Sequence, residues 1–266
     1  MELIMLGTGN AFVTECYNTC FVLKENQKCI LVDGGGGVSL FRQLKRAGLD
    51  WKDMQSIIVT HKHMDHLMGI IWLVRRILQG MCRGEYDREA YIYAHDEVID
   101  IIRSMSDMLF LPKEIAHIDE RLHLVTVADG DEVIINDRHI TFYDIHSTKT
   151  KQFGFVMDMD DDKRLVCCGD EPISDSGRVY AKGAQWLLHE AFCLYEQADI
   201  FKPYEKHHST AKDAAIIAGE LNISNLVMYH TEDSNIAKRK QLYTQEAGQY
   251  FEGNIYVPDD LEIINL

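Results

Sequence analysis

Apolar and polar positions divide the chain into short strand-like runs and amphipathic helical stretches that alternate from one end to the other. Glu2 to Gly7, Cys20 to Lys24 and Lys28 to Asp33 are runs rich in Ile, Leu and Val, separated by the turn-prone segments Gly-Thr-Gly-Asn and Glu-Asn-Gln, and they predict three successive strands. The spacing of Val38, Phe41, Leu44 and Leu49 then turns helical, Ser56 to Thr60 is strand-like, and Leu67, Ile70, Ile71, Val74 and Leu78 form a helical stripe. Tyr91 to Ala94 predicts a strand and Asp96 to Met108 a helix. Leu122 through Asp144 reads as paired strands joined at Ala128-Asp129-Gly130-Asp131 and near Asn136-Asp137. Phe153 to Asp158 and Arg164 to Cys168 flank an acidic turn as a hairpin. Trp186 to His189 and Leu226 to Tyr229 are strand-like, while Ala211 to Leu221 and Ile236 to Tyr250 are helical. The second half weakly echoes the first, and this order suits two sheets packed together with helices on their outer faces.

Composition narrows the class. A length of 266 residues fits one large domain spanning 1–266. Hydrophobic content of 46% and charged content of 26% are those of an ordinary globular protein. No apolar run approaches the roughly 20 residues that span a bilayer. Met1 to Gly7 carries an acidic residue and lacks the basic start, apolar stretch and cleavage site of a signal peptide, so a cytoplasmic protein is expected. Seven cysteines without a C-x-x-C pair fit reduced thiols. A net charge of -15 opposes general attraction to a nucleic-acid backbone. Arg75-Arg76, Lys149 to Lys151 and Lys238-Arg239-Lys240 are local basic groups, read as solvated faces.

The chemistry concentrates in His61-Lys62-His63-Met64-Asp65-His66, directly after the run Ile57 to Val59. Three imidazoles and a carboxylate in one turn suit zinc and its neighbours in the transition series. His146, Asp170 and His230 each stand just after a predicted strand. With the first cluster they make five His and two Asp, enough for two ions with a shared carboxylate.

These residues are similar to the H-x-H-x-D-H signature of the metallo-β-lactamase superfamily, and the resemblance spans nearly the whole chain. It implies an αββα sandwich of two mixed sheets. It also implies a dinuclear site in which His61, His63 and His146 hold one metal, Asp65, His66 and His230 hold the other, and Asp170 bridges them. Asp33 matches the superfamily's early aspartate, implied to support the ligands from behind; by sequence alone it reads equally as a loop cap. His189-Glu190-Ala191 and His208-Ser209-Thr210 resemble the H-E-A-T and H-S-T motifs of the ribonuclease Z group, as does Met5 to Gly9. That resemblance implies a phosphodiesterase with a metal-bridging hydroxide, in which Asp65, Glu190 and His208 are catalytic and His208, oriented by Glu190, assists the leaving oxygen.

Two departures shape the expectation. Phe192 replaces the motif's threonine, and about two dozen positions separate His146 from Asp170, too few for the tRNA-gripping arm. A small or cyclic phosphodiester is therefore the expected substrate, with nucleic acid less favoured and a homodimer allowed. The cofactor expected is two divalent ions, zinc first, with manganese or iron admitted by the same donors. Alternatives are a thioester or lactone hydrolase, a tRNA 3′-processing endonuclease and a non-catalytic metal sensor. The di-iron redox members are disfavoured because His63 stands where they carry a carboxylate.

Overall fold

The computed structural model describes residues 1–266. Contacts divide the chain into two compact units, each assembled from separate stretches: Met1–Gly7, Asn18–Ala128 and Leu261–Leu266 form the first, and Thr8–Tyr17 with Asp129–Asp260 form the second. No helix is long and apolar enough to cross a membrane.

The first unit holds β1 (Glu2–Gly7), β2 (Cys20–Glu25), β3 (Lys28–Val32), β4 (Ser56–Ile58), β5 (Ala90–Ala94) and β6 (Leu122–Thr126) in order, and the late strand β14 (Ile263–Asn265) joins at the β1 edge. Strands β14 to β3 pair antiparallel, whereas β3 to β6 run parallel. Parallel neighbours need crossovers, and the helices supply them. These are α1 (Leu40–Arg46), α2 (Met64–Arg83), α3 (Asp96–Leu109) and α4 (Pro112–Ile115). Helix α2 buries the predicted stripe, Leu67, Ile70, Ile71, Val74 and Leu78, and in its first turn it also buries Asp65 and His66. Burial of two ionisable groups at the start of an otherwise apolar face marks the site end of this unit.

The second unit repeats the plan. Strands β7 (Glu132–Ile135), β8 (Arg138–Asp144), β9 (Phe153–Asp158) and β10 (Arg164–Cys167) pair antiparallel. Strands β10, β11 (Trp186–Glu190), β12 (Asn225–Tyr229) and β13 (Asn254–Tyr256) run parallel. Its helices are α5 (Asp175–Ala181), α6 (Ala198–Phe201), α7 (Ala211–Glu220) and α8 (Arg239–Ala247). Ala211, Ala214, Ala215 and Ala218 of α7 pack in one core with Leu187, Leu226 and Met228, where small side chains let helix and sheet approach closely.

Two expectations need correction. Leu122–Thr126 is not paired with the strand that follows it: β6 lies parallel to β5, and the second sheet begins with the β7–β8 hairpin across Asn136-Asp137. A strand reached through α3 and α4 returns parallel, a choice that apolar alternation does not encode. The helix expected from Ile236 starts only at Arg239. Ahead of it, the backbone N–H groups of Thr14 and Glu15 donate to Asp233, and Ser234 donates to Glu232, so local side-chain bonds hold turns where apolar spacing suggested helix.

The loop after β3 lies against α2 without intervening side chains. The Gly34 N–H donates to the His66 carbonyl at 2.8 Å and the Gly69 N–H to that of Gly35 at 2.9 Å. A Cβ on Gly69 would fall on the Gly34 carbonyl oxygen. Helix propensity alone favours Gly69→Ala by about 1 kcal/mol. Overpacking of this contact costs about 1–3 kcal/mol and reverses the sign. Thermal denaturation of Gly69→Ala is expected to show a lowered Tm; a raised Tm would mean that the close approach constrains nothing.

Candidate metal centre

Each unit gathers ionisable side chains at the carboxyl ends of its parallel strands, where open α/β sheets place ligand sites. In the first unit β3 delivers Asp33 and the segment after β4 delivers His61, His63, Asp65 and His66. His63 is the N-cap of α2, and Asp65 lies in the first turn, where the helix dipole favours a carboxylate. Asp33, His61 and His66 place donor atoms within 4.8 Å of one another, all buried.

The bonds around Asp33 fix the tautomers. Its Oδ1 accepts from the Thr60 N–H, and its Oδ2 accepts from the Thr60 hydroxyl and meets His66 Nδ1, each at 2.8 Å. His66 thus carries its proton on Nδ1 and turns Nε2 toward Asp65 Oδ2, 3.4 Å away. Because the Thr60 hydroxyl proton goes to Asp33, the contact of 2.9 Å between Thr60 Oγ1 and His61 Nδ1 requires His61 to donate there. In a neutral His61 this leaves Nε2 as a lone pair, 2.9 Å from His63 Nδ1. Two imidazole nitrogens so close need a proton or a cation. Burial opposes charge on His66, but the carboxylates of Asp65 and Asp33 outweigh it and raise its pKa well above the ordinary value. The donor set is therefore one that favours positive charge, and neutral imidazole with carboxylate is the ligand chemistry of zinc and related ions. The residues fit the group.

In the second unit Asp170 follows β10, Glu190 ends β11, His230 follows β12, and His208 precedes Thr210, the N-cap of α7. Asp170, His208 and His230 form a buried cluster with donor atoms within 4.8 Å. Gln152 donates a short hydrogen bond to Asp170 Oδ1, and the Tyr229 hydroxyl donates to the Gly169 carbonyl at 2.5 Å, holding the loop that carries Asp170. His208 Nδ1 stands 3.6 Å from Glu190 Oε2. Burial lowers the His208 pKa, yet Glu190 and then Asp170 prevail and raise it above the ordinary value. Glu190 Oε1 accepts the Ser209 N–H at 2.5 Å, so this carboxylate grips the backbone beside His208 as well as facing its ring.

His189 does different work. Burial lowers its pKa, its Nδ1 faces the Glu190 carbonyl at 2.6 Å, and its Nε2 accepts the Ile173 N–H at 3.2 Å. A neutral imidazole with both nitrogens engaged is a tie between β11 and the loop beyond Asp170.

The structure does not bring His146 into either cluster. Its side chain is 65% exposed and its Nδ1 lies 3.8 Å from Asp144 Oδ1, whose carboxylate also takes the His146 N–H at 2.7 Å. Asp33, His146 and His230, all just beyond strands, have φ of 56°, 56° and 59°. Non-glycine residues in this left-handed region are uncommon and cluster at functional sites. Sequence reading missed Thr60 and Gln152, for which no motif gave a signal. It also read Phe192 only as a lost hydroxyl, whereas its ring stacks on His208 with centroids 4.8 Å apart and planes 11° apart.

The family model described as Anti-Pycsar protein Apyc1 matches residues 1–243. A ribonuclease Z of Thermobifida fusca is 26% identical over 300 residues, covering 98% of this chain and 93% of the relative. Among solved structures, the metallo-β-lactamase fold protein YhfI of Bacillus subtilis superposes with TM-score 0.77 at 18% identity, covering 99% of this chain and 98% of that one. The short form of human tRNase Z gives TM-score 0.74 at 20% identity, with coverage of 100% and 99%. The fold is thus that of the metallo-β-lactamase proteins, the αββα class expected of the sequence, and the clusters fit a metal-dependent hydrolase.

Loss of a group that orients a ligand lowers metal affinity about 10–100-fold. Thr60→Val, which removes the hydroxyl between Asp33 and His61 at nearly constant volume, is expected to lose affinity in that range in competition with a chromogenic chelator. Unchanged affinity would show that Thr60 plays no part in orienting the imidazole.

Proposed function

The chain belongs to the family described as Anti-Pycsar protein Apyc1, and from that membership and the two clusters we propose a dinuclear metal-dependent phosphodiesterase acting on a small phosphodiester. The observation that carries this reading is the second cluster: Asp170 and His230, a metal-type donor pair, share a buried group with His208, an imidazole whose pKa Glu190 raises. A metal site with an acid beside it suits expulsion of an alkoxide from phosphorus.

The ligand set proposed is His61, His63 and His146 for one ion and Asp65, His66 and His230 for the other, with Asp170 shared. His146 would have to leave Asp144 to take part. Zinc is the ion proposed. Divalent cations held by such donors supply Lewis acidity, neutralising phosphoryl oxygens and acidifying water. Asp33 and Gln152 orient ligands, the first through His66 and the second through Asp170. His208 transfers its proton to the leaving oxygen, and Glu190 stabilises the charged imidazole before the transfer.

A small substrate is supported by the charge of -15 and by the chain between His146 and Asp170, which is taken up by a short loop and the β9–β10 hairpin. A polyanion needs several Lys or Arg contacts. A cyclic nucleotide or nitrophenyl phosphodiester is therefore expected to be cleaved faster than a 3′-extended precursor tRNA. Efficient, correctly placed tRNA cleavage would overturn this substrate assignment.

His208→Ala is expected to keep its bound metal and lose about a hundredfold or more in kcat toward a diester with an alkyl leaving group, within the range of acid catalysis. A nitrophenolate leaves without a proton, so that substrate should lose little. Equal losses on both, or loss of metal, would make His208 a binding residue or a ligand.

A further inference from the structure

Phe192 stands where the ribonuclease Z-type motif places threonine, two residues beyond Glu190, and its ring lies flat on His208. The hydrogen bonds around His208 leave its ring angle open. Glu190 commits Oε1 to the Ser209 N–H, while Glu190 Oε2 and His208 Nδ1, 3.6 Å apart, lack hydrogen-bond partners. An ion pair of that length sets little direction. Stacking at 11° does set a plane.

We propose that Phe192 is the positioning residue of His208, its ring face fixing the plane in which the imidazole offers one nitrogen to Glu190 and the other to the leaving oxygen. This rests on the phosphodiesterase reading for its catalytic meaning, though not for its geometry. Phe192 is itself anchored on all sides. Its N–H donates to the Ser209 carbonyl at 2.9 Å, and its carbonyl accepts from the Glu232 N–H at 2.7 Å and the Tyr243 hydroxyl at 3.3 Å. The Lys206 ammonium stands 4.9 Å from the ring centroid, a cation–π contact that further restrains the ring. On the other side His230 lies 5.3 Å from His208 at 35°, so the imidazole is bounded by two rings, of which Phe192 is the more nearly parallel. Threonine here offers a hydroxyl but no flat surface.

Phe192→Leu keeps most of the apolar volume and removes the platform, whereas Phe192→Tyr keeps it. In Phe192→Leu, kcat toward an alkyl-leaving diester is expected to fall about tenfold, part of the range of acid catalysis. KM and the rate on a nitrophenyl diester should hold, and Phe192→Tyr should retain kcat. Equal losses on both diesters, or none, would overturn the proposal. Ring-proton NMR of the zinc-loaded protein reads the geometry without turnover. His208 resonances should be shifted upfield by the stacked ring and move downfield in Phe192→Leu with the other histidines unchanged; resonances that do not move would also overturn it. This second readout decides the positioning role even if no diester is cleaved, a result that would remove the phosphodiesterase reading instead.

Discussion

The constraint on which the structure depends is the burial of carboxylates among imidazoles at strand ends. Asp33, Asp65 and Asp170 are each less than a tenth exposed. A buried carboxylate is costly unless it is paired and hydrogen-bonded. Asp33 meets that condition with two bonds from Thr60 and one from His66, and the result is a loop that cannot shift without stranding charge. The raised pKa of His66 has the same origin, since a protein that buries this much negative charge favours a positive partner. A divalent ion fulfils that demand more completely than a proton.

Backbone geometry delivers these groups. Both sheets turn from antiparallel to parallel pairing partway across, and the parallel strands end in tight loops that carry the functional side chains. Asp33 and His230 take left-handed conformations there, as does His146 after the antiparallel strand β8, which lets a loop reverse immediately after its strand at a modest cost in strain. Glycine would adopt the same backbone more easily but brings no ligand. The close approach of Gly34 and Gly69 then locks the Asp33 loop to the helix that carries His66, so tertiary packing and ligand orientation rest on one contact.

Much of this was legible in the sequence for identifiable reasons. Period-two and period-3.6 apolar spacing is local, so β1 to β5, α2 and α7 were apparent. The His61 to His66 cluster was apparent because its members adjoin in sequence. Strand pairing is not local, and β6 was given the wrong partner. Thr60 and Gln152 were invisible because they act through hydrogen bonds to a carboxylate 27 positions and 18 positions away. The role of Phe192 depends on which ring it faces, which no motif records. His146 is legible from its place after a strand; its exposure is not, since the Asp144 carboxylate that takes its backbone N–H belongs to the strand itself and gives no motif.

Family membership and fold join with these clusters in a coherent picture: a metallo-β-lactamase-type hydrolase whose second cluster pairs metal donors with an imidazole whose pKa a neighbouring carboxylate raises. The central claim is that the buried donors exist to hold metal. The measurement that tests it most directly is the metal content of the purified protein by inductively coupled plasma mass spectrometry. The account predicts about two transition-metal ions per chain, since the His and Asp donors of the two clusters exceed what one ion with an open position uses. A folded protein that retains no such metal, and binds none when it is supplied, would contradict it.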